Sequence, residues 1–151
     1  MKNINILVLC TGNSCRSQML QGFLEQYPEL TVYSAGIEAH GLNMRAVRVM
    51  NEAGIDISGH TSNHVDEYRD IDFSYIITVC DHAQEMCPVF PGSSVHLHQN
   101  FPDPARATGT DDEILDAFRS VRDDIMAYSA GLIEIFRKDG GQDIGFKIKT
   151  S

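Results

Sequence analysis

The sequence predicts an α/β fold: a single domain in three layers, with a central four-stranded parallel sheet flanked by helices. Apolar, β-branched runs alternate with longer segments of helical periodicity, and the 151 residues contain no linker or internal repeat. Strands that alternate with helices form parallel sheets that are covered on both faces. A chain of this length suits one domain with one sizeable core.

The individual elements follow from the local patterns. Strands are predicted at 4–9, 30–34, 73–79 and 94–97, and helices at 17–27, 43–53 and 111–138. The third strand is rich in β-branched and aromatic residues, which favours an interior position in the sheet. The apolar positions of the last helix step by one, three or four residues and predict one buried face. They are Ile114, Leu115, Phe118, Val121, Ile125, Tyr128, Leu132 and Ile135.

The segment from Cys10 to Ser17 joins the first strand directly to the first helix. Gly12 and Asn13 tolerate positive φ, which a curled loop requires. The loop amides, the positive end of the helix and the Arg16 guanidinium can together cradle a tetrahedral oxyanion. The alternative is an ordinary capped helix beside a buried cysteine. That alternative leaves Arg16 at the helix end where a cation is unfavourable.

Cys10 is the candidate nucleophile, because the field of such a cradle favours the reactive thiolate. The Ser17 hydroxyl either caps the helix or donates to this sulfur. Cys15 is interpreted as a packed thiol. The candidate oxyanion-binding residues are Thr11, Gly12, Asn13, Ser14, Cys15, Arg16 and Ser17.

Two further candidates follow later strands. The carboxyl ends of parallel strands share one edge of a sheet, so Cys80 and the stretch around Asp103 are expected near Cys10. Asp103 stands between two prolines that stiffen its backbone. It is either a proton donor to a leaving oxygen or only a turn residue.

Cys80 and Cys87 form a second pair of interest. On a straight helix their Cα atoms would be separated by about 10.5 Å of rise, whereas a disulfide requires roughly 7 Å or less. The pair can therefore bond only if the segment unwinds or is never fully helical, and Pro88 disfavours helix there. A redox role for the pair is favoured over the alternative that both cysteines are only small buried side chains. Residues 80–98 are expected to repack on oxidation.

Composition argues against several classes of function. The net charge of −9 argues against nucleic-acid binding. No apolar run approaches the roughly 18 residues of a membrane span, and the N-terminus lacks a signal-peptide pattern, so a cytoplasmic location is expected. The cysteine spacing is a poor zinc pattern, and His96 and His98 lack a third ligand, so no metal site is expected.

The segments at 10–17, 33–38, 55–62, 79–88, 103–105 and 118–123 resemble one enzyme family. Residues 10–17 match the signature of low-molecular-weight protein tyrosine phosphatases. The remaining segments are closer to their relatives, the thioredoxin-coupled arsenate reductases, and Cys80 and Cys87 are the discriminating pair. The resemblance implies a catalytic domain at 1–138 and a C-terminal tail at 139–151 that is either frayed or loosely docked.

The resemblance also implies a reaction. Cys10 attacks arsenate held by Arg16 and the loop amides, and Asp103 protonates the leaving oxygen. Cys80 then attacks Cys10 and arsenite departs, and Cys87 attacks Cys80 to form a disulfide that thioredoxin reduces. No bound cofactor is implied, and a monomer is expected.

One group of similar proteins binds potassium beside the loop through carboxylates. Here the matching positions are the neutral amides Gln21 and Asn63, with Asn13 and Ser34 retained. Strong potassium dependence is therefore not expected. Two other functions stay open: a phosphatase acting on protein tyrosine or small phosphomonoesters, and a non-enzymatic oxyanion-binding or redox-sensing module.

Overall fold

The computed structural model describes residues 4–139. Strands and helices alternate along this part of the chain, and two short 3₁₀ turns precede β3 and α4. The elements are β1 Ile4–Cys10, α1 Arg16–Leu24, β2 Leu30–Gly36, α2 Met44–Glu52, the turn Val65–Tyr68, β3 Tyr75–Thr78, α3 Asp81–Met86, β4 Val95–His98, the turn Pro104–Arg106 and α4 Asp111–Asp139.

The four strands form one parallel sheet in the order β2-β1-β3-β4. The connection from β1 leads to β2 on one side of it, and β3 and β4 are then added on the other side, so the order of the strands reverses at β1. Because β1 and β3 are parallel neighbours, their carboxyl ends lie side by side, with Leu9 opposite Thr78. Ile6, Leu7 and Val8 are fully buried. Successive strand side chains point to opposite faces, so both faces of the sheet are covered. The predicted fold, including an interior third strand, is confirmed.

Three predicted elements have a boundary that is wrong by two or three residues, and one of them is β2, which extends to Gly36 rather than to 34. α1 ends at Leu24 rather than at 27, and Glu25 N–H closes its last turn on Gln21 O. Pro28 follows, and the residue before a proline disfavours helix. β3 is limited to residues 75–78 rather than 73–79, although Val79 N–H still bonds to β1.

The buried face of α4 follows the predicted stripe except at its end. Leu132 and Phe136 are buried, whereas Ile135 is 37% exposed, so its predicted core position is wrong. A three-residue step from Leu132 falls about 60° short of a full helical turn, and a four-residue step passes it by only about 40°. Phe136 therefore continues the stripe.

α4 ends at Asp139, one residue beyond the end predicted for this helix. The Asp139 carboxylate accepts a hydrogen bond of 3.2 Å from the Tyr75 hydroxyl. The rest of the tail prediction, at 140–151, lies outside the described residues. Within residues 4–139, no helix combines the length and the apolar character that a membrane span requires.

Candidate active site

The loop between β1 and α1 curls beside a cavity of about 170 Å³. Cys10 ends β1 and Arg16 begins α1, as the sequence predicts. Of the two residues expected to take positive φ, only Asn13 does, at 51°. Gly12 instead packs closely against His40, whose imidazole would have to shift to make room for a Cβ.

The loop carbonyls turn towards the segment 37–43, which follows β2. Four backbone N–H groups of that segment donate to them: Ile37 to Cys10 O at 3.1 Å, Glu38 to Thr11 O at 2.8 Å, His40 to Gly12 O at 2.9 Å and Asn43 to Ser14 O at 3.0 Å. In a planar trans peptide the next N–H points opposite to the carbonyl. The loop N–H groups therefore face away from that segment, which suits an anion in the cavity.

The Cys10 sulfur lies 2.9 Å from the Ser17 hydroxyl oxygen. Asn13 Nδ2 donates to that same oxygen at 2.8 Å, so the hydroxyl proton is free to point at the sulfur. This contact fits the second of the two roles predicted for Ser17. The N-cap of α1 is Cys15, whose side chain makes no capping bond.

Cys15 lies in the same loop but in a different environment. Burial raises the pKa of its thiol to about 11, so the side chain is neutral near pH 7. Its sulfur is 3.6 Å from the Ser14 hydroxyl. These properties are those of a packed thiol.

Arg16, at the end of the loop, and Asp103, which comes from the segment after β4, both line the 170 Å³ cavity. Arg16 Nη1 donates to Phe101 O at 2.9 Å, and its Nη2 is 4.0 Å from Asp103 Oδ2. Asp103 precedes the turn Pro104–Arg106 and accepts a bond from Ala105 N–H at 3.0 Å. The backbone bond orients the guanidinium, whose other N–H groups stay available to an oxyanion.

Cys80 follows β3 and lies against the loop, with its Sγ 3.2 Å from Thr11 Oγ1. It lines a second cavity, of about 320 Å³, whose lining shares Thr11, Arg16 and Asp103 with the first cavity. Cys10, Arg16, Cys80 and Asp103 thus converge at the carboxyl ends of the strands.

The comparisons with known proteins agree with this arrangement. Residues 5–142 match the family described as Low molecular weight phosphotyrosine protein phosphatase. The chain belongs to this family. An arsenate reductase of Halalkalibacterium halodurans is 50% identical over 122 residues, which cover 80% of this chain and 88% of that protein. An arsenate reductase of Bacillus subtilis is 50% identical over 127 residues, which cover 83% and 91%.

A solved structure described as an arsenate reductase in oxidized state is similar to this chain over most of the length of both proteins. Its TM-score is 0.71 at 27% sequence identity, and the match covers 87% of this chain and 96% of that one. The predicted family resemblance is therefore confirmed.

Cys87 lies apart from the predicted site residues that line the two cavities at the loop. It follows the last residue of α3 and lines a separate cavity of about 420 Å³ with Phe90 and His96. Burial raises the pKa of its thiol. Cys80 and Cys87 are free thiols at opposite ends of α3. The rise over seven residues is about 10 Å, so a disulfide requires this helix to unwind.

His98 ties α3 to the sheet. One ring nitrogen lies 2.7 Å from Thr78 Oγ1, and the other lies 2.7 Å from the Asp81 carboxylate in the first turn of α3. Asp81 N–H also donates to Asn100 at 3.0 Å. His96 is exposed, whereas His98 is half-buried and paired on both ring nitrogens.

Beneath the loop, the side chains of Gln21, Ser34 and Asn13 and the backbone N–H of Asn63 are joined by hydrogen bonds. Ser34 donates to Gln21 Oε1 at 2.6 Å, Asn13 Nδ2 donates to Ser34 at 3.0 Å, and Asn63 N–H donates to Asn13 Oδ1 at 2.8 Å. Among residues 4–139, no group of three or more His, Cys, Asp or Glu side chains is arranged to hold a metal. The absence of a strong dependence on potassium stays a prediction.

Sequence reasoning missed two residues that line the 170 Å³ cavity, His40 and Arg106. His40 pairs with Glu38 at 3.0 Å and packs over Gly12. No sequence signal indicated this, because the contact depends on how segment 37–43 folds back. Arg106 did carry a signal, since a cation three residues after Asp103 in a proline-initiated turn lies on the same side.

Proposed function

We propose that this protein is an arsenate reductase that works through a relay of three cysteines. The observation that carries the proposal is the meeting of two cysteines at one oxyanion cradle, with Cys10 at its base and Cys80 hydrogen-bonded to Thr11. The two relatives at 50% identity, both named arsenate reductase, support arsenate as the substrate.

The first step is displacement at arsenic. The Cys10 thiolate attacks arsenate, an As–S bond forms, and one As–O bond breaks. Asp103 delivers the proton with which that oxygen leaves as water. Arg16 and the loop N–H groups hold the remaining oxygens, and the Ser17 hydroxyl stabilises the thiolate before attack.

The second step transfers two electrons to arsenic. The Cys80 thiolate attacks the Cys10 sulfur, so an S–S bond forms and the As–S bond breaks. The electron pair of the broken bond stays on arsenic, which leaves as arsenite. The contact between Thr11 and Cys80 keeps the attacking sulfur at the edge of the cradle.

The third step clears Cys10. Cys87 attacks Cys80, and Cys10 leaves as the free thiolate. Burial keeps the pKa of the Cys87 thiol raised, so this cysteine becomes reactive only when α3 unwinds and exposes it. Thioredoxin then reduces the Cys80–Cys87 disulfide, in the cytoplasm, where it keeps thiols reduced.

The test is an assay of purified protein with arsenate, thioredoxin, thioredoxin reductase and NADPH. Arsenite should form over many turnovers only when all components are present, and Cys10→Ser should abolish it because a hydroxyl is poorly ionised where a thiolate is needed. Undiminished arsenite formation by a Cys80→Ser, Cys87→Ser double variant would contradict the relay.

Phosphatase activity is the second candidate, favoured by the family match and by the 320 Å³ cavity beside the cradle, which can hold a leaving group. Hydrolysis of p-nitrophenyl phosphate would need no reductant and would survive loss of Cys80 and Cys87. A sensor without enzymatic activity would bind oxyanion and release neither arsenite nor nitrophenol.

A further inference from the structure

The cradle must attract an anion to a chain whose net charge is −9. Arg16 supplies positive charge at the loop, but the Asp103 carboxylate lies 4.0 Å from it and offsets part of that charge. A negatively charged oxyanion therefore meets an incompletely compensated site unless another cation lies at the mouth.

Arg106 lies at that mouth. It lines both the 170 Å³ cavity and the 320 Å³ cavity. Its backbone N–H donates to Asp103 O at 3.2 Å, which fixes the start of its side chain beside the site. Its Nε is 4.0 Å from Asp103 Oδ2, and its side chain is 89% exposed. The guanidinium is thus held loosely and is free to bind an incoming ligand.

We propose that Arg106 is a second oxyanion-binding cation, which draws the anion from solvent into the cradle. It contacts an oxygen that faces away from the loop N–H groups, while Arg16 and those groups hold the others. The identity of the anion as arsenate rests on the proposed function. The binding role itself applies to any tetrahedral oxyanion, including inorganic phosphate.

A purely structural role is the alternative. Arg106 would then only hold Asp103 through their pairing within one turn. The two roles differ in what they change. Loss of a recruiting cation weakens anion binding and raises KM, whereas loss of a brace on Asp103 lowers kcat and alters the pH profile.

The experiment is calorimetric titration of inorganic phosphate into the reduced protein and three variants, with kcat and KM for arsenate measured separately in the thioredoxin-coupled assay. Arg106→Ala should weaken binding by about fivefold, the effect of a solvent-screened ion pair. Arg106→Lys should recover most of the loss, because charge matters more here than a two-pronged geometry. Raising the salt concentration should weaken binding by the unmodified protein more than by Arg106→Ala.

Arg137→Ala is the matched control. Arg137 also pairs with an acid three residues away, Glu134 at 3.2 Å, but it lies near the far end of α4. This control should bind phosphate as the unmodified protein does. Equal affinity in Arg106→Ala and Arg137→Ala would overturn the proposal, as would a loss confined to kcat. Normal phosphate binding without arsenite formation would instead refute the proposed function and leave the role of Arg106 standing.

Discussion

Thr11 and Cys80 are 69 residues apart in the sequence, yet Thr11 Oγ1 and Cys80 Sγ lie 3.2 Å apart. The contact exists because β1 and β3 are neighbours in the sheet, so that the residues following each strand meet at its carboxyl edge. The anion-binding loop and the second cysteine of the proposed relay are therefore parts of one site.

Replacement of Arg16 by lysine should impair the protein although the charge is kept. A lysine cannot both bond to Phe101 O and present a planar pair of donors to an oxyanion. Loss of a charged hydrogen bond predicts a drop of about 10- to 100-fold in phosphate affinity, measured by calorimetry. Arg137→Lys is the control, and near-normal affinity in Arg16→Lys would remove Arg16 from the cradle.

Asp103→Asn should slow turnover while oxyanion binding persists. The asparagine oxygen can still accept the bond from Ala105 N–H, so the turn is kept, but the amide delivers no proton. Loss of general acid catalysis predicts a fall of about 100-fold or more in kcat for arsenate. Asp123→Asn, at an exposed position of α4, should leave kcat unchanged. Unchanged turnover in Asp103→Asn would mean that Asp103 is only a turn residue.

Glu52 should make stability depend on acid pH. Hydrogen bonds from Arg119, and next from Arg122, hold its pKa at about 2, below the ordinary value of 4.5. A lowered pKa stabilises the fold above pH 4.5, and this contribution is lost as pH falls towards 2. Thermal melts should show Glu52→Gln less stable at pH 7, with the difference shrinking below pH 4.5.

Glu134→Gln provides the control, since Glu134 pairs with one arginine at the helix surface. Its melting temperature should follow that of the unmodified protein at every pH. A constant deficit of Glu52→Gln from pH 7 to pH 2 would show that the lost contacts do not depend on the charge of Glu52.

Residues 80–98 should lose protection from hydrogen exchange when the protein is oxidised. Formation of the Cys80–Cys87 bond requires α3 to unwind, which breaks the pairing of His98 with Asp81. Phe90, whose ring packs against Phe73 at 5.5 Å, should be released with it. The amides of β1 are the internal control, because that strand stays in the sheet. Equal protection of 80–98 in both redox states would contradict the switch.

Local patterns made much of the fold and the cradle predictable. The strand–loop–helix signal placed Cys10 and Arg16 correctly because both depend on adjacent residues. The positions of Cys80 and Asp103 followed from one topological rule, that the carboxyl ends of parallel strands share an edge. The local pattern was wrong for Gly12, which does not take positive φ and instead packs closely against the imidazole of His40.

The features that could not be predicted depend on contacts between distant segments. His40 lines the 170 Å³ cavity because segment 37–43 folds back along the loop, and its backbone N–H donates to Gly12 O at 2.9 Å. At the end of α4, a three-residue and a four-residue step from Leu132 both fit the apolar pattern, and only the structure shows that Phe136 and not Ile135 is buried. The pairing of His98 with Asp81 needs the relative placement of α3 and β4, which no pattern in either segment contains.

The most direct test of the relay is a single-turnover experiment on Cys87→Ser. Without the third cysteine, the reaction should stop after one arsenite per protein molecule, with a Cys10–Cys80 disulfide recovered by peptide mapping. The matched control, Cys15→Ser, should still form the Cys80–Cys87 disulfide if it folds. Continued turnover by Cys87→Ser with thioredoxin, or release of arsenite without a Cys10–Cys80 disulfide, would contradict the account.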